Sequence, residues 1–378
     1  MNRHLAYLQD RYTDMLEAVK ALVLQESPTS SKPCCDQAGR LIQALYEANL
    51  DCRTRLLPQE KCGDSLLVEW GQGDRQVMLV GHFDTVHPLG TLAEHPFTVT
   101  DGKIYGPGIY DMKCGIIQAL FALMSLERNT ALKDQLKVVC YFNSDEEIGS
   151  PYSRFAMLEL GKACDLAFVM EPSFGPLGAI KTARSGVGAY KIGAHGRAAH
   201  AGNCPEEGIS AIEELCRQVL KIQALNAPEQ GVYVNCGLIS GGTARNTVPE
   251  FAQAVFDVRV RTVLAAQQFK EAFYAASPVD PRVTLSLEGD YTRPPMEQNP
   301  KQQEVFNIAK ALMRACCGQD LPQAGVGGGS DGNILAAVTT VLDGMGAVGG
   351  HAHSPDEFVI AAHLVPRTAL LAALLEKI

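Results

Sequence analysis

Apolar residues recur at three- and four-residue steps over residues 3 to 24, through Leu5, Leu8, Tyr12, Met15, Val19 and Leu22. That period places them on one face of a helix. Similar spacing predicts helices over 37–49, 152–160, 206–224, 264–276, 301–315, 333–337 and 361–377. Residues 112–126 are apolar almost all round, which predicts a helix buried centrally in a larger protein. Short, continuous apolar runs at 65–70, 76–80, 136–142, 165–170 and 338–343 predict strands covered on both faces. The polar, Gly/Pro-rich passage 87–110 is too irregular for a core element.

The pattern changes in the middle of the chain. Residues 187–194, 231–239, 251–260 and 282–288 alternate strictly, as strands with one covered face do. With the helices at 206–224 and 264–276 they give the order β-α-β-β-α-β, a ferredoxin-like unit. The outer pieces alternate helices with continuous apolar strands, which predicts an α/β fold: a mostly parallel sheet with helices on both faces. Residues 1–180 and 291–378 therefore form one domain, and 181–290 an inserted α+β domain. A chain of 378 residues exceeds the size at which a single core stops growing, as two domains require.

Composition changes this picture little. Hydrophobic content of 46% and charged content of 20% are ordinary for a globular protein. A net charge of -9 argues against nucleic acid and against anionic membrane surfaces as partners. No run approaches the roughly 18 uninterrupted apolar residues of a membrane span. Met1–Leu5 is followed by charge and not by an apolar core, so no signal peptide is expected. The 12 cysteines include no C-x-x-C pair, and several lie in apolar runs. Free thiols in a reducing cytoplasm are the expectation.

Candidate chemistry gathers at the ends of the predicted strands. His82 and Asp84 follow 76–80, Asp145-Glu146-Glu147 follows 136–142, and Glu171 follows 165–170. His351 and His353 come shortly after 338–343, and Asp111 opens the buried helix, where the helix dipole favours a carboxylate. Carboxyl ends of parallel strands share one edge, and ligands bind there. Imidazole nitrogens and carboxylate oxygens converging on one edge suit one or two zinc-like ions.

Five stretches carry a resemblance. They are His82-Phe83-Asp84-Thr85-Val86, Tyr105 to Lys113, Ser144 to Gly149, Glu171-Pro172 and His353-Ser354-Pro355-Asp356-Glu357. Together the chain resembles the co-catalytic di-zinc peptidases: glutamate carboxypeptidase, peptidase T, aminoacylase and succinyl-diaminopimelate desuccinylase. It is most similar to the glutamate carboxypeptidase branch. The resemblance implies two Zn2+, with Co2+ or Mn2+ as substitutes. Asp111 would bridge them, His82 and Glu171 would complete one site, and Glu147 and His353 the other. Glu146 would be the general base, with Asp84 orienting the His82 ring. His353 is preferred over His351 for the Ser-Pro-Asp-Glu that follows it. In the inserted domain, which would serve as lid and dimerisation domain, His200 would stabilise the oxyanion in the partner subunit's site. Asn246, Arg259, Arg293 and the loop around Gly329 would hold a substrate carboxylate, though Arg259 also has Asp257 as a near partner.

The implied activity is hydrolysis of an amide next to a free C-terminal carboxylate, in a small peptide or N-acyl amino acid, by a homodimer. An N-acyl amino acid deacylase or a tripeptide aminopeptidase would use the same metals, and a silent binding protein would lack ligands that are present here. One position departs from the family, which often has two glycines where this chain has Cys114-Gly115. Two other motifs are decoys. Gly328-Gly329-Ser330-Asp331-Gly332 matches a nucleophile elbow without a preceding strand. Gly344-Met345-Gly346-Ala347-Val348-Gly349 matches a dinucleotide fingerprint without a following helix.

Overall fold

The computed structural model describes residues 3–378 and divides into two compact units. The first comprises Met1–Thr182, Gln298–Gly325 and Ser330–Ile378; the second comprises Ala183–Glu297 and Val326–Gly329.

A six-stranded sheet organises the first unit. Its spatial order is Cys52–Leu57, Ser65–Trp70, Leu136–Asn143, Arg75–His82, Leu166–Val169, Thr340–Leu342. The first two pairings are antiparallel and the last three parallel. Strands Arg75–His82 and Leu136–Asn143 run side by side to their last residues, with His82 opposite Asn143. That register brings the residues following both strands to one edge. The strand Cys52–Leu57 escapes the sequence pattern because it lies at the sheet margin, alternates intermediate and exposed positions, and carries two arginines.

The helix Cys114–Leu126 is the apolar one, and 11 of its 13 residues are buried. The segment Ile109–Leu126 is apolar enough by composition to cross a membrane, yet 83% of it is buried inside the fold. Its packing explains the Cys114-Gly115 departure. A Cβ on Gly115 would lie 2.0 Å from the carbonyl oxygen of Met170, so the helix touches bare backbone next to Glu171. Cys114 sits one residue earlier in ordinary helical backbone (φ -61, ψ -38) and needs no glycine. Burial pushes its thiol up to about 12, which makes it unreactive. Gly115→Ala is expected to lower stability by about 2 kcal/mol or more, because backbone atoms cannot yield as side chains do. The urea midpoint measures this, and an unchanged midpoint would count against the close contact.

The passage 87–110 is more ordered than its composition suggests. Thr98–Thr100 and Lys103–Tyr105 pair with Phe358–Ile360 and Gly349–Gly350 in a four-stranded side sheet. The pattern hides these strands because they are two or three residues long, shorter than a period-2 signal needs.

In the second unit, four antiparallel strands take the order Val232–Gly241, Phe251–Val260, Gly186–His195, Thr284–Arg293. Helices Ala211–Gln223 and Val263–Tyr274 share one core with the sheet, through Leu215, Ile222, Phe269 and Phe273 against Tyr190, Ile192, Ala254 and Phe256. This is the ferredoxin-like arrangement. The first helix starts later than its periodicity predicts, because Pro205–Glu207 forms a separate turn and Ser210 caps Glu213 N–H at 3.3 Å.

Candidate metal centre

His82 ends its strand fully enclosed, at 1% exposure. Its Nδ1 donates to the carbonyl oxygen of Asp84 at 3.0 Å and lies 3.4 Å from the Asp84 carboxylate. This leaves Nε2 facing inward, 3.2 Å from Asp111 Oδ1 and 3.4 Å from Glu171 Oε1. Fixing one imidazole nitrogen to orient the other is how proteins aim a ligand. Asp84 is itself held: Thr29 Oγ1 donates to it at 2.8 Å, and the backbone N–H groups of Glu146 and Glu147 each donate at 3.3 Å.

Asp111 lies at the centre. Oδ1 reaches His82, and Oδ2 lies 3.4 Å from His353 Nε2. One carboxylate thus presents its two oxygens to two different histidines. Asp111 does not open the buried helix as predicted. It sits three residues before Cys114, in non-helical backbone (φ -115, ψ 96), so the helix dipole is not what positions it. Its position comes from Glu357, a buried acid that the sequence pattern did not single out. Glu357 Oε1 accepts from Tyr110 N–H at 2.6 Å and Asp111 N–H at 2.7 Å, while Oε2 accepts from Gly108 N–H at 3.2 Å and meets His87 Nε2 at 2.9 Å. Removing Glu357 strands all four donors. Glu357→Ala is expected to cost about 3 kcal/mol or more, the usual scale for breaking a buried charged network. Chemical denaturation tests this, and a loss below about 1 kcal/mol would refute the role.

His353 lies on the loop between Gly349–Gly350 and Phe358–Ile360, so the side sheet and not the main sheet delivers it. Its Nε2 is also 3.4 Å from Glu147 Oε2. His351 instead packs edge-on against the Phe358 ring, with centroids 5.3 Å apart. Glu146 and Glu147 occupy a 3-10 turn, Glu146–Ile148, and not a strand end. Their separation comes from the roughly 120° step of that helix rather than from strand alternation. The ligand atoms of His82, Glu146 and Glu171 lie within 4.8 Å of one another, as do those of His82, Asp111 and Glu147. Asp145, the third acid of the triplet, accepts from Tyr152 N–H at 2.8 Å and Ser153 N–H at 3.1 Å and so anchors the next helix.

The electrostatics follow from this crowding. Burial opposes ionisation of Asp111, but the bonds from His353 and His82 overcome it and hold the carboxyl well below the usual range. Bonds to Asp111 and Glu147 raise His353 to about 10. Burial opposes the charge on His82, yet Asp111, Asp84 and Glu171 push its pKa well up. Glu147 is raised, chiefly by burial. Carboxylates held among imidazoles that favour a positive charge are a donor set that a divalent cation can neutralise. The mix of imidazole nitrogen and carboxylate oxygen fits a zinc-class ion.

The other five predicted residues belong to the second unit. His200 is exposed, and its Nδ1 accepts from Gly202 and Asn203 N–H groups at 3.1 Å. Asn246 is exposed, and its carbonyl accepts from Ala201 N–H at 3.0 Å. Arg259 Nε lies 2.9 Å from Asp257, the near partner that its sequence neighbourhood offers. Arg293 is partly buried at the end of its strand. The carbonyls of Gly328 and Gly329 accept from buried Arg184 at 3.0 and 3.2 Å.

The loop that carries Gly329 leads into a short capped helix, and one expectation about the motif it belongs to needs correction. The helix after Gly329 is only Asp331–Leu335, and Ser330 caps it, accepting from Gly332 N–H at 3.0 Å. The Gly332 N–H is thus already engaged. A short strand, Gln323–Val326, does precede the G-x-S-x-G motif. Ser330 is nonetheless fully buried, with Oγ 2.5 Å from Asp343, so it is a cap and not a nucleophile.

Residues 78–377 match the model of peptidase family M20/M25/M40, and the chain belongs to that family. The chain is 27% identical over 314 residues to carboxypeptidase G2 of Pseudomonas sp. (strain RS-16), covering 80% of this chain and 74% of that protein. It is 28% identical over 386 aligned positions to acetylornithine deacetylase of Pasteurella multocida (strain Pm70), covering 95% and 97%. Its fold is similar to the crystal structure of aminopeptidase PepT from Bacillus cereus ATCC 10987, with TM-score 0.79, 20% identity and coverage of 97% and 98%.

Proposed function

We propose that this hydrolase is a di-zinc carboxypeptidase-type enzyme that cleaves an amide beside a free C-terminal carboxylate. The observation that carries this is Asp111, whose two oxygens face His82 and His353 separately. Asp111 would be shared between two ions, with His82 and Glu171 on one side and Glu147 and His353 on the other. Bound zinc would supply Lewis acidity toward the amide carbonyl and acidify water. Glu146 takes the proton of the attacking water as the C–O bond forms, then gives it to the nitrogen as the C–N bond breaks. Asp84 keeps His82 and the Glu146–Glu147 turn in place. His200 is proposed to stabilise the oxyanion from a partner subunit, with Asn246, Arg259, Arg293 and Gly329 near the substrate carboxylate. A homodimer through the second unit and a reducing cytoplasmic setting belong to the same proposal.

A second reading, an N-acyl amino acid deacylase, is favoured by the nearly full-length match to acetylornithine deacetylase. A panel of C-terminal glutamyl amides, N-acyl amino acids and tripeptides, run with zinc, cobalt and manganese, separates the two. The carboxypeptidase reading expects the glutamyl amides to turn over fastest and their C-terminal amide derivatives to be inert. Preference for N-acetyl amino acids would replace it with the deacylase, and no metal-dependent cleavage of any member would sink both.

A further inference from the structure

Lys181 is a basic residue enclosed beside the acidic cluster. It is 8% exposed, on the strand Ile180–Arg184, and its Nζ lies 3.8 Å from Glu171 Oε2. The backbone around it is fixed by reciprocal bonds with Asp343, of 2.8 and 3.2 Å, and the side-chain stem runs past Gly344. Glu171 is therefore divided: Oε1 faces His82 at 3.4 Å and Oε2 faces Lys181. Charge points the same way. Five carboxylates, of Asp84, Asp111, Glu146, Glu147 and Glu171, meet at this edge. Two dications offset four of those charges, and one lysine matches the fifth.

We infer that Lys181 is a positioning residue that holds Glu171 Oε2, leaves Oε1 alone for the metal, and thereby sets the affinity of one of the two metal positions. This rests on the proposed role of Glu171 as a metal ligand. An ammonium this close also repels a dication, so its presence weakens binding and makes the bound ion more electron-poor.

The test is zinc binding by the full chain, read with a competing chelator that reports both stepwise constants. Lys181→Met keeps an unbranched stem of similar length and removes the charge. It is expected to tighten one zinc constant by about tenfold, since two like charges interact appreciably at this range. Lys181→Arg, which keeps the charge, is expected to stay close to wild type. Unchanged constants in Lys181→Met, with wild type binding two zinc ions, would overturn the role of Lys181 and leave the metal centre standing. Failure of wild type to bind zinc would overturn both. If Lys181→Met does not fold, a crystal structure of zinc-loaded wild type decides. Glu171 bound through one oxygen, with the other on Lys181, supports the inference; both oxygens on zinc refutes it.

Discussion

Glu146→Gln is expected to lose roughly a thousandfold in kcat while still binding two metal ions, within the usual contribution of general acid–base catalysis. Glutamine has the same shape and can still hydrogen-bond, but it cannot take a proton at neutral pH. Glu146 is suited to the role by placement. It is 5% exposed, its backbone N–H is held by Asp84 at 3.3 Å, and its carboxylate groups with His82 and Glu171. The loss should fall on kcat with KM little changed, because the side chain acts on water rather than on substrate binding. Metal analysis and steady-state kinetics on one preparation give both readouts. Wild-type turnover in a fully loaded Glu146→Gln protein would remove Glu146 from the mechanism.

The second large effect is expected at Asp111. Asp111→Ala removes a carboxylate whose two oxygens lie 3.2 Å from His82 and 3.4 Å from His353. Metal content after dialysis should fall from two ions to one or fewer per chain, and hydrolysis should drop below detection. Zinc added at a hundredfold over Kd should stabilise wild type by about 2.7 kcal/mol per site and the variant by much less. Thermal denaturation with and without zinc measures that difference. Two tightly held ions in Asp111→Ala would exclude a shared carboxylate. Proton release adds an independent check. In the metal-free protein His353 keeps its proton up to about 10, since Asp111 and Glu147 favour the imidazolium. A metal needs the neutral ring, so zinc uptake at neutral pH should release protons and tighten as pH rises toward 10. The same raised pKa makes the imidazolium a source of metal-free stability, full below its ordinary value and lost as pH rises through about 10.

Much of the fold is legible from periodicity. Five strands of the six-stranded sheet, the buried helix and the ferredoxin-like insertion each follow from whether apolar residues recur every two, every three to four, or continuously. What escaped detection is short or sits at a margin: the strand Cys52–Leu57, the side sheet and the turn Glu146–Ile148. Such elements bury few residues, so they impose little pattern on the chain.

The candidate site divides in the same way. By itself the sequence determined which donors are available, and that His82, Glu146, Glu147 and Glu171 follow strands whose ends share an edge. Local order suffices for this, because a strand's length and burial are written in neighbouring residues. The tertiary structure decided the rest. It placed Asp111 in non-helical backbone under Glu357, 246 residues away in sequence. It turned His353 toward Asp111 and Glu147 and His351 toward Phe358, and it set Lys181 against Glu171. Apart from the ring contact of His351, these arrangements depend on hydrogen bonds and charge pairs between segments distant in sequence. Such contacts leave no period in the chain, because each is satisfied by a single residue at a single place.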